Sequence, residues 1–276
     1  MPLLHVVILA LVQGITEFLP ISSSGHLVLA WEAFDAAGIA TVQQSPAERL
    51  SLDIAVHVGT LLAVCLYFWR DIGRMGLGLT RLVRGRPDPY ATLAFYIVVG
   101  TIPLGIVGFL FKEEITLYLH DVRTVAWATI GFGVLLFIGD RLGMTLRRVE
   151  HMTFGSALWI GLAQVLALIP GTSRSGITMT MARVLGFERS AAARFSLLLA
   201  IPAIAAPGLL VAVELYQLGN VALGMDALLA AGLSFLVALV AIWALLGWLR
   251  RATFTPFVIY RILLGSALLY WTYAGL

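Results

Sequence analysis

Two short stretches of the chain concentrate residue types that can do chemistry. The first, QGITEFLPISSSGHLV, runs from Gln13 to Val28 and holds a carboxylate, a proline, three serines, a glycine and a histidine. The second, IPGTSRSG, runs from Ile169 to Gly176 and holds an arginine among hydroxyls and glycines. Gln13 and Glu17 are one helical turn apart, so they share a helix face. Ser22, Ser23 and Ser24 offer hydroxyls, and His26 follows Ser23 by three residues, within reach of sharing a proton with it. The second stretch is expected to open a helix at about Ser175, and free backbone N–H groups at a helix start attract anions. Arg174 adds a forked guanidinium suited to phosphate oxygens. A positive cradle, a hydroxyl or imidazole that can attack, and a carboxylate that manages protons together make a phosphoryl-transfer constellation. No GxxxxGK[ST] loop occurs, so ATP is not indicated. Nor does any cysteine or histidine cluster stand at zinc spacing.

The elements that must carry these residues are membrane helices. Of 276 residues, 60% are hydrophobic and only 12% charged, and the mean hydropathy is +0.96. A soluble domain is roughly 45–50% apolar and about 25% charged, so the bilayer must solvate most of this surface. Apolar spans are expected at about 51–69, 91–111, 123–140, 190–213, 225–249 and 256–274, each near the roughly 20 residues a spanning helix needs. Two further apolar regions, about 2–34 and 153–185, are each broken by a proline followed by hydroxyl residues that can cap a new helix. Half-helices of this kind read as re-entrant hairpins, tolerated where irregular backbone is buried in protein or lines a wet cavity. The ionisable groups at or near the breaks, Glu17, His26, Arg174 and His57, are functional candidates because charge is costly in a membrane.

The breaks resemble one another, with Gln13, Pro20 and Ser24-Gly25 set against Gln164, Pro170 and Ser175-Gly176. Each is followed by three spans. The expected fold is therefore an all-α polytopic membrane protein, one integral membrane domain over 1–276. It is an inverted repeat of two units, about 1–142 and 150–276, each a re-entrant helical hairpin plus three transmembrane helices. Arg70, Arg74, Arg81, Arg84, Arg86, Arg141, Arg147, Arg148, Arg189, Arg250 and Arg251 fall on one side, against Arg49, Lys112 and Arg123 on the other. The positive-inside rule then puts both termini outside, with the first hairpin dipping in from outside and the second from the cytoplasm. The net charge of +3 is too mild to point to nucleic acid.

The segments QGITEFLPISSSGH and PGTSRSG also carry a family resemblance. They are similar to the two signature segments of the bacterial undecaprenyl-diphosphate phosphatase family, also called bacitracin-resistance proteins. The likeness in length, span order and motifs covers nearly the whole chain. It implies a multi-pass enzyme of the bacterial inner membrane with an outward-facing site. Such an enzyme hydrolyses undecaprenyl diphosphate to undecaprenyl phosphate and inorganic phosphate, recycling the lipid carrier of cell-wall synthesis and conferring bacitracin resistance. It usually works with a divalent cation, Mg²⁺ or Ca²⁺. The family's Glu/Gln-xxx-Glu element falls on Gln13 and Glu17, its histidine on His26, its serines on Ser22 and Ser23, and its arginine on Arg174.

The expected catalytic residues are thus Glu17, Ser23, His26 and Arg174, with Gln13, Ser22, Gly171, Thr172, Ser173, Ser175 and Gly176 binding substrate and Glu17 as a metal ligand. Ser23 is read as the nucleophile and His26 as its proton partner; attack by His26 or by water stays open. Ser24 is read as a helix cap, Gln164 as packing, and His57 as either a core histidine or part of the site. Trp69 and Trp271 are read as interface anchors, and the arginines of 70–86 as loop charges that orient the chain. The expected partners are a polyprenyl diphosphate lipid, membrane lipids and a second copy in a homodimer. The competing function is a transporter or flippase for a phosphorylated polyprenyl lipid, since inverted repeats with broken helices are also transporter anatomy. A carrier has little use, however, for serine, histidine and glutamate beside the arginine.

Overall fold

Apolar runs with no water to satisfy their backbone must bond internally, and helices do so most simply. The computed structural model of the chain describes residues 3–36, 46–111, 121–218 and 221–274; Lys112 lies outside them. In chain order the helices are α1 (Leu3–Thr16), α2 (Ser23–Ala36), α3 (Pro46–Tyr67), α4 (Trp69–Val83), α5 (Pro89–Leu110) and α6 (Val122–Leu142). Then follow α7 (Phe154–Gln164), prolonged by the 3-10 turn Val165–Leu168, α8 (Arg174–Val184), α9 (Arg189–Leu218), α10 (Val221–Leu249) and α11 (Thr255–Ala274). Among the described residues six helices are long and apolar enough to cross a membrane, α3, α5, α6, α9, α10 and α11. The protein is all-α and polytopic.

The remaining apolar helices are too short to cross. α1 and α2 have 14 residues each, and α7 and α8 have 11 each. At 1.5 Å per residue even the longer pair reaches only about 21 Å, against roughly 30 Å of hydrocarbon. The chain turns at Pro20 and Pro170, which cannot continue a helix. Each following helix opens on a serine in the left-handed region, Ser22 at φ 74° and Ser173 at φ 72°. Their hydroxyls accept the backbone N–H groups of Gly25 at 3.3 Å and Gly176 at 3.1 Å. The first cap is therefore Ser22, whereas the sequence points to Ser24. Helix α8 opens at Arg174, one residue earlier than expected.

Close approach of backbones places both hairpins in the bundle. α1 lies against α10 where Gly14 meets Val237 and the Ser234 carbonyl, and α7 lies against α5 where Gly161 meets the Gly100 backbone. A side chain at either glycine would overlap its neighbour, so small residues set these contacts. Gln164 donates its Nε2–H to the Gly100 carbonyl at 3.1 Å, which gives it the packing role expected. The outward surface is apolar, with Phe109, Trp243 and Leu263 exposed on helix flanks.

The segment 70–86 departs from expectation. Most of it is the helix α4, not a loop. Arg70, Arg74 and Arg81 fall within a narrow stripe when wound at 3.6 residues per turn, while Trp69, Leu79 and Val83 are exposed on the apolar side. Arg81 pairs with Asp88 at 2.9 Å, and Arg74 donates to the Tyr90 hydroxyl at 2.8 Å. These bonds tie α4 to the start of α5, where Asp88 caps the helix ahead of Pro89 by accepting the Tyr90 N–H.

Candidate active site

The two breaks meet. Glu17 sits just past the end of α1, its N–H still bonded to the Gln13 carbonyl at 2.9 Å. Its Oε2 accepts Gln13 Nε2–H at 2.9 Å and the Ser23 hydroxyl at 2.6 Å. Its Oε1 lies 3.4 Å from Arg174 Nη2, and His57 Nε2 stands 3.7 Å from Oε2. A carboxylate only 6% exposed would be costly alone, and the guanidinium compensates its charge. Arg174 also donates Nη1–H to the Ser196 carbonyl at 3.2 Å. Its Nε is buried with no hydrogen-bond partner among the described residues. Such a donor is uncommon in a finished structure and fits an acceptor brought by a ligand.

These groups line a cavity of about 380 Å³ together with Ser24 and Ser173. Its other walls, including Leu168, Ala203 and Ile204, are apolar. One wall therefore suits phosphate oxygens and the other suits hydrocarbon.

Of the residues singled out from sequence, Glu17, Ser23, Ser173 and Arg174 line this cavity and Gln13 holds Glu17 from behind. Ser22, Gly171, Thr172, Ser175 and Gly176 build the turns. Gly171, at φ 93°, sits so close to the Val125 backbone that a Cβ would overlap it. Ser175 reaches across to donate its hydroxyl to the Leu19 carbonyl at 2.9 Å, joining one break to the other. His26 is not beside Ser23. Its Nδ1 bonds the Ser22 carbonyl at 2.6 Å and its Nε2 the Tyr260 hydroxyl at 2.5 Å. In place of the expected Ser23–His26 pair, Ser23 bonds Glu17 while both His26 nitrogens are engaged by Ser22 and Tyr260. His57 belongs to the site rather than to the core.

Residues 6–267 match the model of the bacitracin resistance protein BacA family. The chain belongs to that family. It is 50% identical over 280 residues to undecaprenyl-diphosphatase 1 of Rhodospirillum rubrum, which covers 100% of this chain and 97% of the relative. It is 46% identical over 276 residues to an undecaprenyl-diphosphatase of Alteromonas mediterranea and 42% identical over 276 residues to one of Roseobacter denitrificans. In both cases 99% of this chain and 100% of the relative are covered.

One residue central to this BacA-family site was missed in the sequence. Arg261 of α11 is fully buried. It donates to the carbonyls of Thr129 at 3.0 Å, Pro20 at 3.1 Å, and Gly171 and Thr172 at 2.9 Å each. It thus binds both breaks and α6 at once. The signal was present: an arginine inside the apolar run FVIYRILLGS is as costly as the four ionisable residues that were noticed. Ser196, whose carbonyl orients Arg174 and whose hydroxyl bonds Thr178 at 2.7 Å, gave no such signal.

Among the described residues no group of three or more His, Cys, Asp or Glu could hold a metal ion. The donors fit a different arrangement: one carboxylate, Glu17, with the Gln13 side-chain oxygen a turn away and lacking a hydrogen-bond partner among those residues. Of the two, Glu17 alone lines the cavity, so a cation there would take most of its ligands from the phosphate it arrives with, as Mg²⁺ commonly does.

Proposed function

We infer that this chain is a membrane phosphatase that hydrolyses undecaprenyl diphosphate to undecaprenyl phosphate and inorganic phosphate. One observation carries the inference: Ser23 Oγ and Arg174 both contact Glu17 at the junction of two broken helices. A carrier for the same lipid would need the arginine but not a serine hydroxyl 2.6 Å from a carboxylate. Recycling of the lipid carrier is a role that fits a family named for bacitracin resistance.

The chemistry follows from the geometry. Arg174 binds phosphate oxygens through Nε and the fork, and its charge offsets the negative charge that gathers as phosphorus is attacked. Glu17 accepts the Ser23 proton as Oγ bonds to the terminal phosphorus. The bond from that phosphorus to the bridging oxygen breaks, and undecaprenyl phosphate leaves. Water then attacks the phosphoserine, giving inorganic phosphate and restoring the Ser23 hydroxyl. His57, within 4 Å of Glu17, is placed to take part in proton traffic with solvent. A divalent cation, held by Glu17 and the phosphate oxygens, would supply further neutralisation.

The membrane is proposed to be the bacterial inner membrane, with both termini and the cavity mouth on its outer face. The positions of the arginines support this orientation. The inverted repeat is supported by exchanged partners, α1 on α10 and α7 on α5, and by two serine-capped turns of like φ. The test is phosphate release from a polyprenyl diphosphate by purified protein in detergent, with and without chelator. Release is expected, and it should fall about a hundredfold or more in Glu17→Gln. A protein that binds the lipid but releases no phosphate would favour the carrier.

A further inference from the structure

His26 is the one predicted catalytic residue that the cavity does not include, and its surroundings show what it does instead. A backbone carbonyl can only accept, so the 2.6 Å contact between Nδ1 and the Ser22 oxygen puts the ring proton on Nδ1. In the neutral ring Nε2 is then an acceptor, and the Tyr260 hydroxyl 2.5 Å away must donate to it. The two rings are stacked, with centroids 5.6 Å apart and planes within 10°. Both nitrogens are thereby committed, one to α2 and one to α11.

The carbonyl that His26 holds belongs to the strained residue of the turn. Ser22 lies at φ 74°, a conformation that strains a serine and persists only where neighbours enforce it. Its oxygen accepts the His26 backbone N–H at 3.3 Å as well as the ring N–H. The very next side chain is Ser23, which the turn delivers to Glu17 at 2.6 Å. In the second break the equivalent Ser173 carbonyl accepts only the Ile177 N–H among these bonds. There Arg261 supplies the extra hold, through Gly171 and Thr172.

We propose that His26 is a positioning residue: through Nδ1–H it fixes the Ser22 turn that presents Ser23, Tyr260 locks its tautomer, and it transfers no proton to substrate. This rests on the phosphatase reading of the cavity. Asparagine and glutamine separate the two ring nitrogens, because an asparagine amide mimics the Nδ1 donor and a glutamine amide reaches the Nε2 position. His26→Asn should keep kcat within about fivefold of wild type. His26→Gln should lose about a hundredfold in kcat with KM nearly unchanged, as expected when a reacting group is misplaced while Arg174 still binds phosphate. Tyr260→Phe should lower kcat severalfold in the wild-type background and have no effect in His26→Asn. Equal inactivity of the Asn and Gln variants, both folded by size exclusion, would overturn the proposal and return His26 to proton transfer. The ¹⁵N spectrum of histidine-labelled protein, with the His26 signal assigned by its loss in His26→Gln, tests the tautomer without activity. A proton on Nδ1 is expected, and a proton on Nε2 alone refutes the lock. Wild-type protein that releases no phosphate would defeat the phosphatase reading, while the spectrum would still decide the role of His26.

Discussion

Replacing Arg261 with leucine should uncouple the two breaks. The guanidinium is fully buried, so no water stands ready to replace it. The Thr129 carbonyl sits inside α6, where helical bonding already satisfies it in part. The carbonyls of Pro20, Gly171 and Thr172 lie in the breaks, outside any helical ladder, and Arg261 reaches all three within 3.1 Å. Leaving a buried acceptor unsatisfied costs about 1–3 kcal/mol, so the loss should be at least about 3 kcal/mol. That is a large part of a typical total stability of 5–15 kcal/mol. At roughly 2–4 °C per kcal/mol for a chain near this size, the melting temperature should fall by about 6 °C or more. The assay is thermal unfolding of purified protein in detergent, read by near-ultraviolet dichroism. Arg261→Lys should fall between, since an ammonium has donors but not the fork that spans three carbonyls. A leucine variant melting within about 2 °C of wild type, with normal turnover, would refute the clamp.

Further expectations concern the cavity, the orientation and the surface. Arg174→Lys keeps the charge but loses Nε and the fork, so phosphate release should fall at least tenfold, about 1.4 kcal/mol; near-native turnover would reduce Arg174 to a balancing charge. Glu17→Gln should cost about a hundredfold or more in kcat while the protein still folds, and a fully active variant would remove the proton-acceptor role. In a Cys65→Ala background, an impermeant thiol reagent on intact cells should label Ala36→Cys and spare Arg86→Cys; the reverse pattern would invert the topology. At the surface, the Tyr90 N–H and the Arg81 guanidinium hold the Asp88 carboxyl below the usual aspartate range. Its contribution should therefore be full at neutral pH and lost as pH falls below that range through the depressed value. Asp88→Asn should narrow the stability gap between neutral and acid pH, and an unchanged acid melting profile would count against it.

Much of this molecule was legible because the membrane leaves few options. Continuous apolar runs had to become spans, and the two runs interrupted by Pro20 and Pro170 had to break there. Charges stranded at those breaks marked Glu17 and Arg174 for the same reason. The failures are of another kind. Proximity in sequence suggested that His26 serves Ser23, but Ser23 bonds Glu17 from the other side of the turn and His26 bonds the Ser22 carbonyl and Tyr260. No periodicity reports a single positive φ at a non-glycine residue. Arg261 acts from another helix on backbone carbonyls, and Ser196 offers Arg174 its own backbone carbonyl from 22 residues away. Carbonyls are the same at every position, so the sequence alone cannot show which of them a buried donor will find. Helix α4 was hidden because its arginines looked like loop charge until their common stripe was considered.

The two breaks are built to one plan and differ where the chemistry is. Ser22-Ser23-Ser24-Gly25 and Ser173-Arg174-Ser175-Gly176 share a left-handed first serine whose hydroxyl caps the glycine N–H. In each, the first and third hydroxyls are within 3.4 Å of each other. In each the second residue lines the cavity and reaches Glu17, Ser23 in one break and Arg174 in the other. A serine alone is a weak nucleophile for a phosphate anion, since nothing offsets the charge it approaches. An arginine alone binds phosphate without attacking it. Placing one copy of the turn against the other sets the proposed nucleophile and the proposed electrostatic clamp on either side of a single carboxylate. The cost is two strained serines and a buried guanidinium to hold the halves together, and Arg261 meets that cost by bonding both. The two functions can therefore be separated by exchange. Serine in place of Arg174 should abolish substrate binding, whereas alanine in place of Ser23 should leave a protein that binds polyprenyl diphosphate near wild-type affinity and does not turn it over. Ligand-induced thermal stabilisation measured on both variants would decide it. Loss of stabilisation in Ser23→Ala would mean that the two turns do not divide binding and attack between them.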